Sequence, residues 1–71
     1  MPQNSNIEVI VNDQVLKLDN GVTVEDLIAE VGVSGAFAVE VNGELVPTRE
    51  LSKVAIRSGD RIEIVTLAGG G

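Results

Sequence analysis

The stretch Gly21-Val22-Thr23-Val24-Glu25-Asp26-Leu27-Ile28-Ala29-Glu30-Val31-Gly32 decides how the rest of the chain must be arranged. Thr23 is a good N-cap residue and Asp26 follows three positions later, the spacing of a capping box with aspartate as its acidic member. Val24, Leu27, Ile28 and Val31 then share one side of a helix, while Glu25, Asp26 and Glu30 take the other. Glu25 and Asp26 fall in the first turn, where the helix dipole favours negative charge. Gly32 supplies the stop. A helix of about eight residues does not stand alone in water, so its apolar stripe must lie on something else.

Sequence on both sides supplies the cover. Upstream, Ile7 to Val11 reads as a strand with Ile7, Val9 and Val11 on one face, and Asn12-Asp13 are turn residues that tolerate left-handed backbone. Gln14 to Leu18 returns with Leu16 and Leu18 facing inward, which makes a hairpin closed before Asp19-Asn20-Gly21. Downstream, Phe37, Val39 and Val41 alternate with Ala38 and Glu40. Asn42-Gly43 is a strong two-residue hairpin signal, and Glu44-Leu45-Val46 is a short return ended by Pro47, which holds the residue before it extended. Thr48 to Ile56 has no clean period and reads as an irregular crossing with room for one helical turn. Arg61 to Leu67 is the last strand, with Ile62 and Ile64 inward and Glu63 outward.

With one helix to cover one face, the expected fold class is α+β: a mixed sheet of four to five strands with the main helix packed on one side. The strands that follow the helix can pair parallel to the first hairpin, which is the β-grasp arrangement of ubiquitin-like proteins. The expected division is a lead-in at residues 1–6, a domain at 7–67 and a glycine tail at 68–71. The sheet's second face is left to solvent. Its outward set should be Glu8, Ile10, Val15, Lys17, Ala38, Glu40, Arg61, Glu63, Val65 and Leu67. The apolar members, above all Ile10, Val65 and Leu67, are the candidate docking residues, provided that they cluster near the base of the tail.

Composition removes most catalytic chemistries. The chain of 71 residues contains no cysteine, histidine, tyrosine or tryptophan, and Phe37 is its single aromatic residue. There is thus no disulfide framework, no thiolate, no imidazole base and no stacking platform for bases. Ser5, Ser34 and Ser52 have no histidine to activate them. Glu25 and Glu30 belong to the solvent face of a short helix, and no cluster has metal-ligand spacing. Eleven acidic against five basic residues give a net charge of -6. That balance disfavours nucleic acid and anionic membranes and suits partners with basic docking faces, although it also serves solubility alone. Residues 1–6 are polar without a basic cluster, unlike a signal peptide, and no apolar run approaches the ~20 residues of a membrane span. The expectation is a cytoplasmic protein that binds no nucleic acid, membrane or metal.

One feature is left over, the end Ala68-Gly69-Gly70-Gly71. Glycines pack no core, and ordering them is entropically expensive. They do allow a bare backbone to thread a slot too narrow for a Cβ, with an unencumbered carboxylate at Gly71. They are not a phosphate-binding loop, which opens a helix and carries a lysine. A carboxylate is a poor acyl donor at neutral pH, but it becomes reactive once another enzyme converts it to a mixed anhydride with AMP. A sulfur nucleophile can then displace the AMP and leave a thiocarboxylate. A linker-like end with no role is the plain alternative.

From about Ile7 to Gly71 the chain resembles the ThiS family, the ubiquitin-like sulfur carriers of thiamine biosynthesis. The resemblance is carried by Val11-Asn12-Asp13-Gln14, by Gly21-Val22-Thr23-Val24 leading into Leu27-Ile28, and by Ala38-Val39 with Val41-Asn42-Gly43. Val46-Pro47, Gly59-Asp60 with Ile62-Glu63-Ile64-Val65, and the closing glycines complete it. Two departures are a longer lead-in and three final glycines where two suffice. The resemblance implies that Gly71 is the residue adenylated and thiocarboxylated, with Gly69 and Gly70 threading the tail. It implies no catalytic residue in this chain, which would be a cosubstrate. The implied partners are a ThiF-like adenylyltransferase using ATP and Mg²⁺, a cysteine desulfurase as sulfur source, and a ThiG-like thiazole synthase as acceptor. Alternatives are a MoaD-like carrier for molybdopterin or another thiolation pathway, a ubiquitin-like modifier forming isopeptide bonds through Gly71, and an interaction module with an idle tail. Chain length and Val46-Pro47 favour ThiS.

Overall fold

The computed structural model describes residues 6–67. Five strands, one α-helix and one short 3₁₀ turn follow in the order β1 (Asn6–Val11), β2 (Gln14–Asp19), α1 (Val24–Val31), β3 (Phe37–Val41), β4 (Glu44–Val46), the 3₁₀ turn (Thr48–Glu50) and β5 (Arg61–Thr66). The sheet order is β2-β1-β5-β3-β4. β5 lies at its centre, parallel to β1 and antiparallel to β3. This is the expected mixed sheet of a β-grasp fold. β1 begins at Asn6, which pairs with Asp19, so the strand takes in the last residue that polarity assigned to the lead-in.

Helix α1 forms as its sequence requires, and its first turn leaves no N–H idle. Thr23 Oγ1 accepts from Asp26 N at 3.2 Å, while Thr23 N donates to Asp26 Oδ2 at 2.9 Å. The N–H groups of Val24 and Glu25 donate to the carbonyls of Val54 and Leu51 at 2.9 and 3.0 Å. The carbonyls of the aperiodic Thr48–Ile56 crossing thus satisfy helix-start donors that have no partner inside the helix. The crossing also sends Leu51 and Ile56 into the core and pairs Ala55 with Thr23 in an isolated bridge. At the other end Gly32 takes φ 83°, a left-handed conformation natural to glycine, and its N–H donates to Ile28 O.

The core lies between α1 and one face of the sheet. Val9, Val11, Val24, Leu27, Ile28, Val39, Leu51, Ile56, Ile62 and Ile64 are buried, and no polar side chain among the described residues is buried with them. Ile7, Leu16, Leu18, Phe37 and Val41 flank this cluster half-buried, since they sit near strand ends or on the outer strand β2. Val31 departs from expectation. It belongs to the helical stripe by spacing but is 47% exposed. As the last helical residue it projects past the buried cluster, onto the rim of a cavity.

Candidate functional site

Two hairpin turns fix the central strand from either side. Asn12 and Asp13 adopt φ 48° and 69°, and Asn42 with Gly43 adopts 53° and 88°, the paired positive angles of a tight two-residue hairpin. Each turn uses its asparagine side chain to hold β5. Asn12 Oδ1 accepts from Ile64 N at 2.7 Å, and Asn12 Nδ2 donates to Ile64 O at 3.0 Å. Asn42 Oδ1 accepts from Arg61 N at 2.9 Å, and Asn42 Nδ2 donates to Asp60 Oδ1 at 3.0 Å. The asparagines are legible in the sequence as turn formers. Their second role, as side-chain replacements for missing strand neighbours, has no signal in local sequence.

Held in this way, β5 ends at Thr66. Leu67, the last described residue of the chain, donates its N–H to Ala36 O at 2.8 Å. Gly69, Gly70 and Gly71 lie outside the described residues. Four residues, Ala68 to Gly71, follow Leu67 and span at most about 14 Å when extended.

The sheet face opposite the helix divides into separate parts. Val65 and Leu67 are 52% and 54% exposed, and Val65 pairs with Ala38 beside the tail exit. Ile10 is only half-exposed and pairs with Val15, which is 64% exposed, on the far side of the sheet. Register places Ile10 level with Arg61, four residues before Val65, or about 13 Å along the strand. Arg61 and Glu63 occupy the interval. Glu63 faces Glu40 directly across the β5–β3 pair, with Leu45 exposed behind Glu40 on β4. Arg61 joins Asp13 at 2.9 Å and Glu63 at 3.7 Å, surface pairs of small energetic value. The patch expected from Ile10, Val65 and Leu67 thus separates: Val65 and Leu67 lie at the last described residues of the chain, and Ile10 does not join them. Leu45 is a further exposed apolar residue, outside the set that strand alternation predicts.

Among the described residues, no group of three or more Asp, Glu, His or Cys side chains is placed to hold a metal. No helix among them is long and apolar enough to cross a membrane.

The family model described as "ThiS family" matches residues 4–71, which takes in the whole domain and its glycine end. The chain belongs to the ThiS family. That family comprises the small sulfur carriers of thiamine biosynthesis. Among solved structures, the thiamine biosynthesis protein ThiS from Geobacter metallireducens superposes on this ThiS-family chain with a TM-score of 0.78 at 26% identity. The match covers 92% of this chain and all of that one. A thiazole synthase from Paramagnetospirillum magneticum is 39% identical over 66 residues, covering 92% of this chain. The match takes up only 20% of that protein's length, so a ThiS-like stretch there is part of a much longer polypeptide. The uncharacterized protein ycf40 of Porphyra purpurea is 29% identical over 69 residues and matches nearly end to end.

Proposed function

We propose that this chain carries sulfur as a thiocarboxylate on Gly71 and delivers it to a thiazole synthase during thiamine biosynthesis. The observation that supports the reading best is the extent of the family match, which runs through the glycine end to residue 71. A carboxylate oxygen of Gly71 attacks the α-phosphorus of ATP on an adenylyltransferase of the ThiF type, and Mg²⁺-bound pyrophosphate leaves. Sulfide then attacks the acyl carbon, the C–O bond to AMP breaks, and the thiocarboxylate remains. In the cell a cysteine desulfurase would be the source of that sulfur. This chain contributes the terminus and the docking surface, and the enzymes contribute the catalysis. The long thiazole synthase from Paramagnetospirillum supports the choice of acceptor, because a carrier-like stretch and a protein of that name share one chain.

The test is intact-mass spectrometry of the chain after incubation with the adenylyltransferase, ATP, Mg²⁺ and sulfide. The parent should gain the mass difference of one oxygen-to-sulfur exchange. Gly71→Ala, or one added residue, should prevent that gain while leaving the melting temperature unchanged. A parent mass that does not move rejects sulfur carriage. Ladders of high-mass conjugates under denaturing conditions would instead mark a protein modifier.

A further inference from the structure

On the β1 side of β5, no strand among the described residues lies beside its last residues, past the β1 pairing at Ile62. In the β3–β5 pair, Leu67 N donates to Ala36 O and Asn42 N to Arg61 O, so the residues that exchange bonds with β3 are 61, 63, 65 and 67. Those at 62, 64 and 66 direct their N–H and C=O to the opposite side. Ile62 O is taken by Asn12 N, and both main-chain groups of Ile64 are taken by the Asn12 carboxamide. Beyond that point β1 has turned away. Thr66 is exposed, faces Phe37 across a pair that shares no bond, and has no hydrogen-bond partner for its N–H or C=O among the described residues. Beneath this edge, on the helix side, lies a cavity of about 320 Å³ whose apolar wall includes Leu16, Val31, Val33 and Ile64, with Thr66 at its margin.

We propose that an extended segment of the tail-accepting enzyme, the thiazole synthase, adds itself as a strand beside Thr66 and sets one aliphatic side chain into this cavity. The inference rests on the functional reading above and names a contact face distinct from the exposed sheet face. The position of the tail selects the occupant. On that reading the reacting residue is Gly71, four residues past Leu67, so an enzyme that takes it must lie within about 14 Å of this edge. Main-chain pairing supplies affinity in such an arrangement, and the pocket supplies selection for the side chain.

The experiment measures binding of the chain to purified thiazole synthase, with amide exchange at Thr66 followed by NMR in the free and bound states. The Thr66 amide should exchange rapidly in the free chain and become protected in the complex. Thr66→Pro removes the donor from the open edge without touching a β3 bond, a position where strand proline is tolerated. It should raise Kd about tenfold, the equivalent of one well-placed hydrogen bond, whereas Thr66→Val should bind like the parent. Should the proline variant fold poorly, Val31→Glu, which puts a charge on the rim of the cavity, should weaken binding to a similar degree. A complex in which the Thr66 amide exchanges as in the free chain overturns the proposal, as does concentration-dependent protection in the free chain, which would show a second copy on the edge. Absence of any complex overturns it as well. Protection on binding by a chain that cannot be loaded with sulfide would support this contact while rejecting sulfur carriage.

Discussion

Asn12 and Asn42 each occupy the first position of a tight turn and each reach across to β5. Together their carboxamides satisfy main-chain groups at the start and in the middle of that strand, at Arg61 and Ile64. Replacing Asn12 with glycine is a clean probe, because glycine accepts the φ of 48° and only the side chain is lost. Two bonds to Ile64 disappear, each contributing roughly 1 kcal/mol net. Asn12→Gly should therefore cost about 1–2 kcal/mol, which for a domain of this size lowers the melting temperature by about 5–15 °C. Amide exchange at Ile64 should accelerate more than at Val39. A variant that melts like the parent would mean that water replaces the carboxamide at no cost. Only half of this residue's behaviour is legible in the chain itself. Asn-Asp between two apolar strands names a turn, but the partner lies fifty-two positions away, and nothing local encodes it.

The helix is the opposite case, legible almost completely from its own twelve residues. Thr23 and Asp26 form both bonds of the capping box, and Gly32 closes the last turn. Thr23→Ala should cost about 1 kcal/mol, the usual loss for an N-cap, as measured by denaturant unfolding. Leu27, 1% exposed, is the middle of the buried stripe, and Leu27→Ala should cost about 2–5 kcal/mol, enough to unfold much of so small a domain. Equal losses from the two variants would show that the stripe is poorly packed. Val31 marks where periodicity stops being informative. Spacing places it on the stripe, but the sheet beneath it has ended at the β1–β2 turn, and the side chain borders a cavity instead. The Thr48–Ile56 crossing resists sequence reading for a related reason. Its structure follows from the carbonyls that α1 requires, not from a pattern of its own.

At the scale of the molecule, one small sheet presents both a point of exit and a surface for recognition, and the register decides which surface residues can serve. The alternation of β1, β2 and β5, continued to Leu67, places Ile10, Val15, Val65 and Leu67 away from the helix. It cannot show that the parallel register offsets Ile10 from Val65 by four residues, with Arg61 and Glu63 between them. On the sulfur-carrier reading proposed above, an enzyme that takes Gly71, six residues after Val65, covers the Val65 end of the face and has no need to reach Val15. Both valines are more than half exposed, so an aspartate at either position should leave folding intact. Burying a valine at an interface contributes roughly 1.5–3 kcal/mol, so Val65→Asp should lower kcat/KM for thiocarboxylate formation by about tenfold to a hundredfold. Val15→Asp should leave it within about twofold, the scatter typical of surface substitutions. The measurement is the rate of the mass gain with the adenylyltransferase, run beside a melting curve for each variant. An equal loss at both positions would mean that the enzyme covers the whole face despite its charged middle. A Val65 variant loaded at the parental rate would move recognition by the adenylyltransferase off this face.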